Sequence, residues 1–156
     1  MDKPGGMDVV RQIRQAYGAW CKPLCQELGM PQMALDILMF LSVNPALCTA
    51  RDINRHRGFK ENILSVNINK LVSEGYLERC TVEGDRRKVR LALTEKAQPI
   101  IARGSRALEE FNRRIRAGIT PEELAVFAKC LSIAGENAGK ILSDKSHQEL
   151  HDEEYI

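Results

Sequence analysis

The spacing of the apolar residues is helical along most of the chain and strand-like in one short central part. Over residues 8–74 and 95–142, apolar side chains recur every three or four residues, as they do in amphipathic helices. Between these parts, residues 76–83 and 87–94 read as two strands around the turn pair Gly84-Asp85. The pattern predicts a mainly α fold with one small β-hairpin, an α+β fold class.

Breaks in the helical spacing divide the helical parts into six helices. Thr49 and Thr120 each have an acidic residue three positions later, which predicts a capping box at the start of a helix. Gly29, Gly58 and Gly75 predict helix ends. The predicted helices cover residues 8–28, 32–43, 49–58, 61–74, 95–117 and 120–142.

The third and fourth helices are separated only by a short turn at Gly58. A short helix, a tight turn and a second, longer helix form the helix-turn-helix unit. The predicted hairpin follows directly, in the position of a wing. The order of elements therefore predicts a winged helix-turn-helix with further helices before and after it.

Positive charge is concentrated in the middle of the chain, although the net charge is only +2. Residues 51–90 hold ten Lys and Arg against six Asp and Glu, whereas residues 91–156 hold nine against eleven. A local basic excess is the electrostatic footprint of a protein that binds a polyanion. An ordinary solvated face would show the same bias, so the charge alone leaves both interpretations open.

The cysteine usage and the absence of long apolar runs indicate a cytoplasmic protein. No apolar run approaches the roughly 18 residues of a membrane span, and the N-terminal residues lack the apolar segment of a signal peptide. We also find no Gly-rich phosphate loop, nucleophile elbow or metal-ligand spacing, so we expect neither an enzyme nor a cofactor. The five cysteines are odd in number and scattered, which favours reduced thiols: Cys21, Cys25, Cys48, Cys80 and Cys130.

Three stretches of the chain resemble the multiple-antibiotic-resistance (MarR) family of winged-helix regulators. "DRRKVRLALT" (85–94) fits the wing signature of that family: Asp, any residue, Arg, three residues, Leu, any residue, Leu, Thr. "INKLVSEGYLER" (68–79) is similar to the end of its recognition helix and the strand entry that follows. "CKPLCQELGMPQMALDIL" (21–38) resembles its junction between the first two helices.

The resemblance implies a homodimer that binds double-stranded DNA. The first and last two helices would interlock between subunits, and each subunit would place its fourth helix in a major groove and its wing in the adjacent minor groove. Such proteins usually repress transcription from a pseudo-palindromic operator and release it when a ligand or an oxidant acts. Here we expect a small aromatic or phenolic effector.

The same resemblance divides the single domain, residues 1–156, into functional parts. Residues 8–43 and 95–142 would form the helical dimerisation region. Residues 46–94 would form the winged helix-turn-helix lobe that binds DNA. Residues 143–156 form a polar, acidic tail.

The fourth helix would present its polar face to DNA. Leu64, Ile68 and Leu71 form its inner face, and amide, hydroxyl and ammonium groups on the opposite face can meet base edges or phosphates. Val66 lies among them and would contact a thymine methyl group. A solvated helix face is the alternative interpretation. The predicted DNA contacts in and next to this lobe are Arg51, Lys60, Asn62, Ser65, Val66, Asn69 and Lys70.

The wing would contribute the remaining contacts. Arg87 matches the family arginine that enters the minor groove, and Asp85 would stabilise the hairpin by pairing with it. Arg86 and Lys88 would meet phosphates. Val89, Leu91 and Leu93 alternate along the second strand and are expected to anchor the hairpin to the core.

Two asparagines depart from the family pattern. Asn54 and Asn67 occupy inner positions of the helix-turn-helix pair that usually hold Ala and an apolar residue. Because a buried amide without a partner costs about 1–3 kcal/mol, we expect the two side chains to hydrogen-bond to each other or to nearby backbone.

A ligand pocket is expected between the dimer helices and the DNA-binding lobe. Simple core packing is the alternative for its lining residues, because Met and aromatic side chains at helical spacing are often core. The candidates are Tyr17, Trp20, Met30, Met33 and Phe40.

Two other functions compete with a ligand-controlled DNA-binding regulator. In the first, the cysteines are a redox switch on the same fold, although their positions do not match the peroxide-sensing branch of the family and buried inert thiols are favoured. In the second, the winged helix binds an acidic protein instead of DNA. Release by peroxide and the salt dependence of DNA binding would distinguish these functions.

Overall fold

Six α-helices, one short 3-10 helix and a two-stranded hairpin make up the part of the chain that the computed structural model describes, residues 5–82 and 85–143. The side chains of residue 82 and of residues 85–88 also lie outside the described part. The element bounds are α1 Gly6–Leu28, α2 Gln32–Val43, α3 Ala50–Arg57, α4 Glu61–Ser73, β1 Leu77–Val82, β2 Asp85–Leu93, a 3-10 helix Glu95–Ala97, α5 Gln98–Ile115 and α6 Pro121–Ser143.

The predicted fold class and element order are confirmed, and most helix ends differ from the prediction by one or two residues. The larger difference is at α5, which was predicted to begin at residue 95 but begins at Gln98 after the 3-10 helix. Pro99 has no backbone N–H and cannot donate to the carbonyl of residue 95. The chain before it therefore takes the tighter 3-10 geometry.

The core of the first compact unit, residues 1–115, is built around α2. Seven of the twelve residues of α2 are buried, so this helix is apolar on nearly all sides. It packs against α1, α4, α5 and β2. A helix buried on all sides needs apolar partners on all sides, and Leu64, Ile68, Leu71 and Leu77 supply several of them.

The hairpin is held to this core at its base. β1 and β2 pair antiparallel, with Leu77 opposite Leu93, and the register shifts between Thr81 and Val82. The N–H of Leu91 donates a 2.7 Å hydrogen bond to the carbonyl oxygen of Cys48, in the link before α3. Leu91 is buried, as expected.

Val89 does not join the core, which corrects one of the three predicted anchors. Its side chain is 40% exposed. Val89 lies two residues before Leu91 on β2 and therefore farther from the Leu77–Leu93 pair at the base of the hairpin. The predicted turn pair Gly84-Asp85 and the acidic tail beyond residue 143 lie outside the described residues.

The two unusual asparagines behave differently. Asn67 is buried on the inner face of α4, and its Nδ2 donates a 2.9 Å hydrogen bond to the carbonyl oxygen of Ile63. The expected bond to nearby backbone is therefore confirmed for Asn67. Asn54 is only half-buried, and its Nδ2 donates to the Glu61 carboxylate at 3.3 Å, so the prediction for Asn54 was wrong. Ile53, not Asn54, supplies the buried position of α3.

The second compact unit, from residue 116 onward, contains α6. The predicted capping box at its start is present: the N–H of Glu123 donates to Thr120 Oγ1 at 3.2 Å, and the N–H of Thr120 donates to Glu123 Oε2 at 2.8 Å. None of the residues of α6 is buried in the single chain. Within the described residues, no helix combines the length and the apolar character that crossing a membrane requires.

Candidate nucleic-acid interface

The turn between α3 and α4 fixes the position of the predicted recognition helix. α3 begins with a complete capping box, in which the N–H of Asp52 donates to Thr49 Oγ1 and the N–H of Thr49 donates back to the Asp52 carboxylate. The Thr49 hydroxyl also donates to this carboxylate, and these bonds hold the pKa of Asp52 below its usual value. α3 ends at Gly58, whose φ of 65° is left-handed and is easily adopted only by glycine. Three residues, Gly58 to Lys60, then connect α3 to α4.

The N-terminus of α4 lacks a side-chain cap. Lys60 takes the N-cap position without a side-chain hydrogen bond to the helix, and the first helical residue is Glu61. Free N–H groups at a helix start, together with the helix dipole, attract anions. Lys60 is exposed beside them, and Arg51 is exposed in the first turn of α3.

The outward face of α4 carries the predicted base-reading residues. Asn62, Ser65, Asn69 and Lys70 are exposed, and Val66 is 66% exposed. Lys70 lies 3.8 Å from the Glu74 carboxylate, an exposed pair that contributes little to stability. Val66 leaves apolar surface unburied among the polar side chains of this face.

Two residues next to this face were missed by the sequence analysis. Ile63 is 43% exposed and borders Val66 one turn earlier on α4. Arg79 of β1 donates a 2.5 Å hydrogen bond from its guanidinium to Oδ1 of Asn69. The alternation of side chains along β1 could have predicted this contact. Leu77 is buried next to α4, and Arg79, two residues later, lies on the same side of the strand.

The predicted wing residues lie on β2, but their side chains are outside the described part. The backbone of Asp85, Arg86, Arg87 and Lys88 belongs to strand β2. Their roles in pairing, minor-groove contact and phosphate contact therefore remain predictions. Arg90, nearer the base of the hairpin, donates from its Nε to Cys48 Sγ at 3.0 Å, and this contact raises the pKa of its guanidinium.

The predicted pocket residues are spread over several places. Tyr17 lines a cleft of about 330 Å³, together with Val10, Ile13, Arg14, Met39, Arg57, Leu108 and Phe111. Met30 lines a different surface cleft beside the α1–α2 junction. Trp20, Met33 and Phe40 instead make internal contacts.

These internal contacts join neighbouring helices. Trp20 Nε1 donates to the carbonyl oxygen of Ala107 at 2.9 Å, which ties α1 to α5. Met33 Sδ lies 3.5 Å from Asn67 Nδ2, between α2 and α4. Phe40 is buried, and the guanidinium of Arg57 lies 5.6 Å from the centre of its ring.

The five cysteines do not behave as one class. Cys21, Cys25 and Cys48 are buried, and burial raises the pKa of the Cys21 and Cys25 thiols. This agrees with inert thiols at those two positions. Cys80 and Cys130 are exposed in the single chain, so the expectation of buried thiols was wrong for Cys130. That position lies on α6, which has no buried residue in the described part of the chain.

Comparison with known proteins gives one family match and many similar folds. Residues 28–88, from the end of α1 into β2, match the model of the MarR family. The transcriptional regulator PA3341 superposes with a TM-score of 0.77 at 24% identity, over 86% of this chain and 98% of that one. A MarR-family regulator from Silicibacter pomeroyi gives 0.73 at 21% identity, over 83% and 86%. MarR from E. coli in its apo form gives 0.65 at 18% identity, over 86% and 98%.

The solved structures share the fold of this chain at low sequence identity, and the family match covers the helix-turn-helix pair together with the start of the wing. The resemblance inferred from the wing and recognition-helix sequences is thus confirmed. Residues 28–88 are similar to the MarR family, and the chain shares its fold with solved MarR-family regulators.

Proposed function

We propose that the protein is a homodimeric repressor that binds a pseudo-palindromic operator and releases it when a small aromatic or phenolic effector binds. The observation that carries the DNA-binding part is the outward face of α4. It combines exposed amide, hydroxyl and ammonium groups with an exposed valine, beside a hairpin whose sequence holds Arg86, Arg87 and Lys88. Polar groups that face a groove can read bases, and cations on both sides can neutralise phosphates.

The uncovered apolar surface of α6 supports the dimer. Large apolar side chains at helical spacing on one 23-residue helix leave a surface that an isolated chain in water does not tolerate well. A second copy is the occupant that a palindromic operator requires, because a twofold axis in the protein matches the twofold axis in the DNA. The residues concerned on α6 are Val126, Phe127, Leu131, Ile133, Ile141 and Leu142, and α1 adds Met7, Val9, Val10 and Ile13.

The cleft beside Tyr17 supports control by an effector. Its walls are mainly apolar, and two guanidinium groups, those of Arg14 and Arg57, lie along it. Such a cleft suits a flat ring that carries an anionic or phenolic oxygen. Arg57 is also the last residue of α3, directly before the turn into α4. A ligand that draws Arg57 toward itself would therefore act on the position of the recognition helix.

Selection of genomic fragments with the purified protein tests the DNA-binding part. We expect enrichment of a pseudo-palindrome with half-sites about 10 bp apart, and an affinity that falls steeply as salt rises. Arg51→Ala should reduce the salt slope by about one, because one phosphate contact is lost. Arg103→Ala, which removes the same charge from a pair with Glu27, is the matched control and should leave the slope unchanged.

The competing functions predict different results. Weak binding that is indifferent to sequence would favour an acidic protein partner for the wing. Release of operator DNA by peroxide would favour a redox switch only if it is lost when all five cysteines are replaced. Sedimentation at micromolar concentration tests the dimer, and a chain that remains monomeric would contradict it.

A further inference from the structure

Three residues form the centre line of the outward face of α4. Asn62, Val66 and Asn69 are spaced by four and three residues, and all three are exposed. This spacing places them one above another on the side opposite the buried Leu64 and Ile68. In a helix that lies in a major groove, such a line is nearest the base edges.

The amide of Asn69 is held in one orientation. The guanidinium of Arg79 lies 2.5 Å from the side-chain oxygen of Asn69. A guanidinium has only N–H donors, so the amide atom that faces it must be the acceptor, the oxygen. The contact therefore directs the oxygen toward β1 and leaves the amide NH₂ as the group that can meet a base.

This orientation changes which bases Asn69 can recognise. Asparagine usually reads adenine with both amide atoms, accepting from N6 and donating to N7. Arg79 occupies one lone pair of the Asn69 oxygen, so the NH₂ group is the freer of the two amide groups for contact with a base. This donor fits the O4 of thymine, the O6 of guanine or the N7 of either purine, and it meets only another donor at the N4 of cytosine.

Val66 narrows the choice to thymine. It lies one helical turn before Asn69 and presents its two methyl groups outward, with 66% of the residue exposed. Thymine is the base whose major-groove edge carries an acceptor oxygen beside a methyl group. A donor and an apolar side chain on adjacent positions of one line match those two groups.

We propose that Val66 and Asn69 together recognise a thymine in each half-site, and that Arg79 is the positioning residue that fixes the Asn69 amide for this task. The proposal rests on the proposed function, since it requires α4 to enter a major groove. It adds the base that is read and a residue of β1 that determines the specificity.

The test begins with an operator duplex selected from random-sequence DNA by the full-length protein. Each thymine of one half-site is then replaced by deoxyuridine, which removes the 5-methyl group and keeps O4. We expect one thymine at which this change weakens wild-type binding about fivefold, and at which replacement of the T·A pair weakens it about tenfold or more. Val66→Ala should bind the thymine and uracil duplexes equally.

Arg79 is tested by the preference for that base pair and not by affinity. Discrimination is the ratio of the affinities for the duplex with the T·A pair and the duplex with the replaced pair. Arg79→Met should lower this ratio to the value measured for Asn69→Ala. In the Asn69→Ala background, Arg79→Met should cause no further loss of discrimination. Arg79→Lys, which can still donate to the amide oxygen, should retain part of the discrimination.

Other results would overturn the inference. If Arg79→Met weakens binding equally for every sequence, and does so in both backgrounds, Arg79 is a phosphate contact or a structural residue. If replacement by deoxyuridine weakens binding at no thymine more than at the others, Val66 contacts no methyl group. In both cases the wild-type protein still binds a specific operator, so the proposed function survives; binding that is indifferent to sequence would instead overturn the proposed function itself.

Discussion

The hydroxyl of Tyr17 donates a 2.9 Å hydrogen bond to Oδ1 of Asp36 and so joins α1 to α2 beside the candidate effector cleft. Burial raises the pKa of the Asp36 carboxyl, although the bond from Tyr17, the charge of Arg57 and a bond from Gln32 oppose the rise. Burial and the neighbouring Asp36 also raise the pKa of the Tyr17 hydroxyl. Tyr17 therefore remains a hydrogen-bond donor at neutral pH.

The raised pKa of Asp36 predicts a pH dependence of stability with a definite sign. In the folded protein the carboxyl holds its proton to a higher pH than in the unfolded chain, where its pKa is 3.8. The contribution of Asp36 to the free energy of unfolding is full below its unfolded pKa and is lost as the pH rises through its folded pKa. Asp36→Asn cannot ionise, so the free energy of unfolding of this variant should not show that fall.

Asp52 provides a control of opposite sign. The hydrogen bonds between Thr49 and Asp52 lower the pKa of Asp52. Its contribution to the free energy of unfolding is therefore present above its usual pKa and is lost as the pH falls through the lowered pKa. Denaturant titrations from acid to neutral pH should therefore show opposite changes of slope for Asp36→Asn and Asp52→Asn. A wild-type curve parallel to that of Asp36→Asn would contradict the assignment of the raised pKa.

Replacement of Asn67 by leucine should stabilise the protein. The two side chains have nearly the same shape, and the carbonyl of Ile63 that Asn67 bonds is a helix carbonyl that keeps its backbone partner. The change thus removes a buried amide and leaves no polar group unpaired, which should raise the free energy of unfolding by about 1 kcal/mol. Asn67→Asp, which buries a charge at the same place, should lower it. Thermal unfolding of the three proteins would decide, and a destabilised Asn67→Leu would show that the amide is needed.

Features determined by local chemistry could be predicted from the sequence. The capping boxes at Thr49 and Thr120 and the left-handed glycine at position 58 involve residues within four positions of each other, so their geometry can be read directly from the chain. The apolar spacing and the breaks in it supplied the order of elements. Helix existence and helix ends were predicted for the same reason.

Burial and contacts that depend on how separate elements pack together could not be predicted from the sequence. Asn54 and Val89 have the spacing of inward residues, but Asn54 is only half-buried and Val89 is 40% exposed. The contact of Arg79 with Asn69 joins two elements across a turn, and only the packing of β1 against α4 brings the two side chains together.

Close packing of α5 against α2 predicts that Gly104 cannot be enlarged. A Cβ atom at this position would lie 2.6 Å from Met39 Sδ and 3.2 Å from Leu35 Cδ1. Gly104→Ala gains helix propensity, yet the displaced core should make the net effect a loss of about 1–2 kcal/mol. Gly18→Ala, in the middle of α1 with its nearest contact at 3.5 Å, is the matched control and should gain about 0.5–1 kcal/mol. Equal stabilisation of both variants would mean that Met39 moves aside at no cost.

The last prediction concerns Arg87 on β2. The backbone of Arg87 lies on β2, two residues from Val89, whose side chain is 40% exposed. A narrow, A·T-rich minor groove has an enhanced negative potential that attracts an arginine. Arg87→Ala should therefore unfold at the same temperature and sediment as the wild type does, but bind the selected operator at least tenfold more weakly. Arg103→Ala removes the same charge from α5 and should bind like the wild type. Because the affinity is lost through the minor groove, the loss should be greatest for operators with A·T pairs there and smaller when G·C pairs replace them. An equal loss for both operators would show that Arg87 contacts only phosphate. Undiminished binding would show that the wing does not contact the operator.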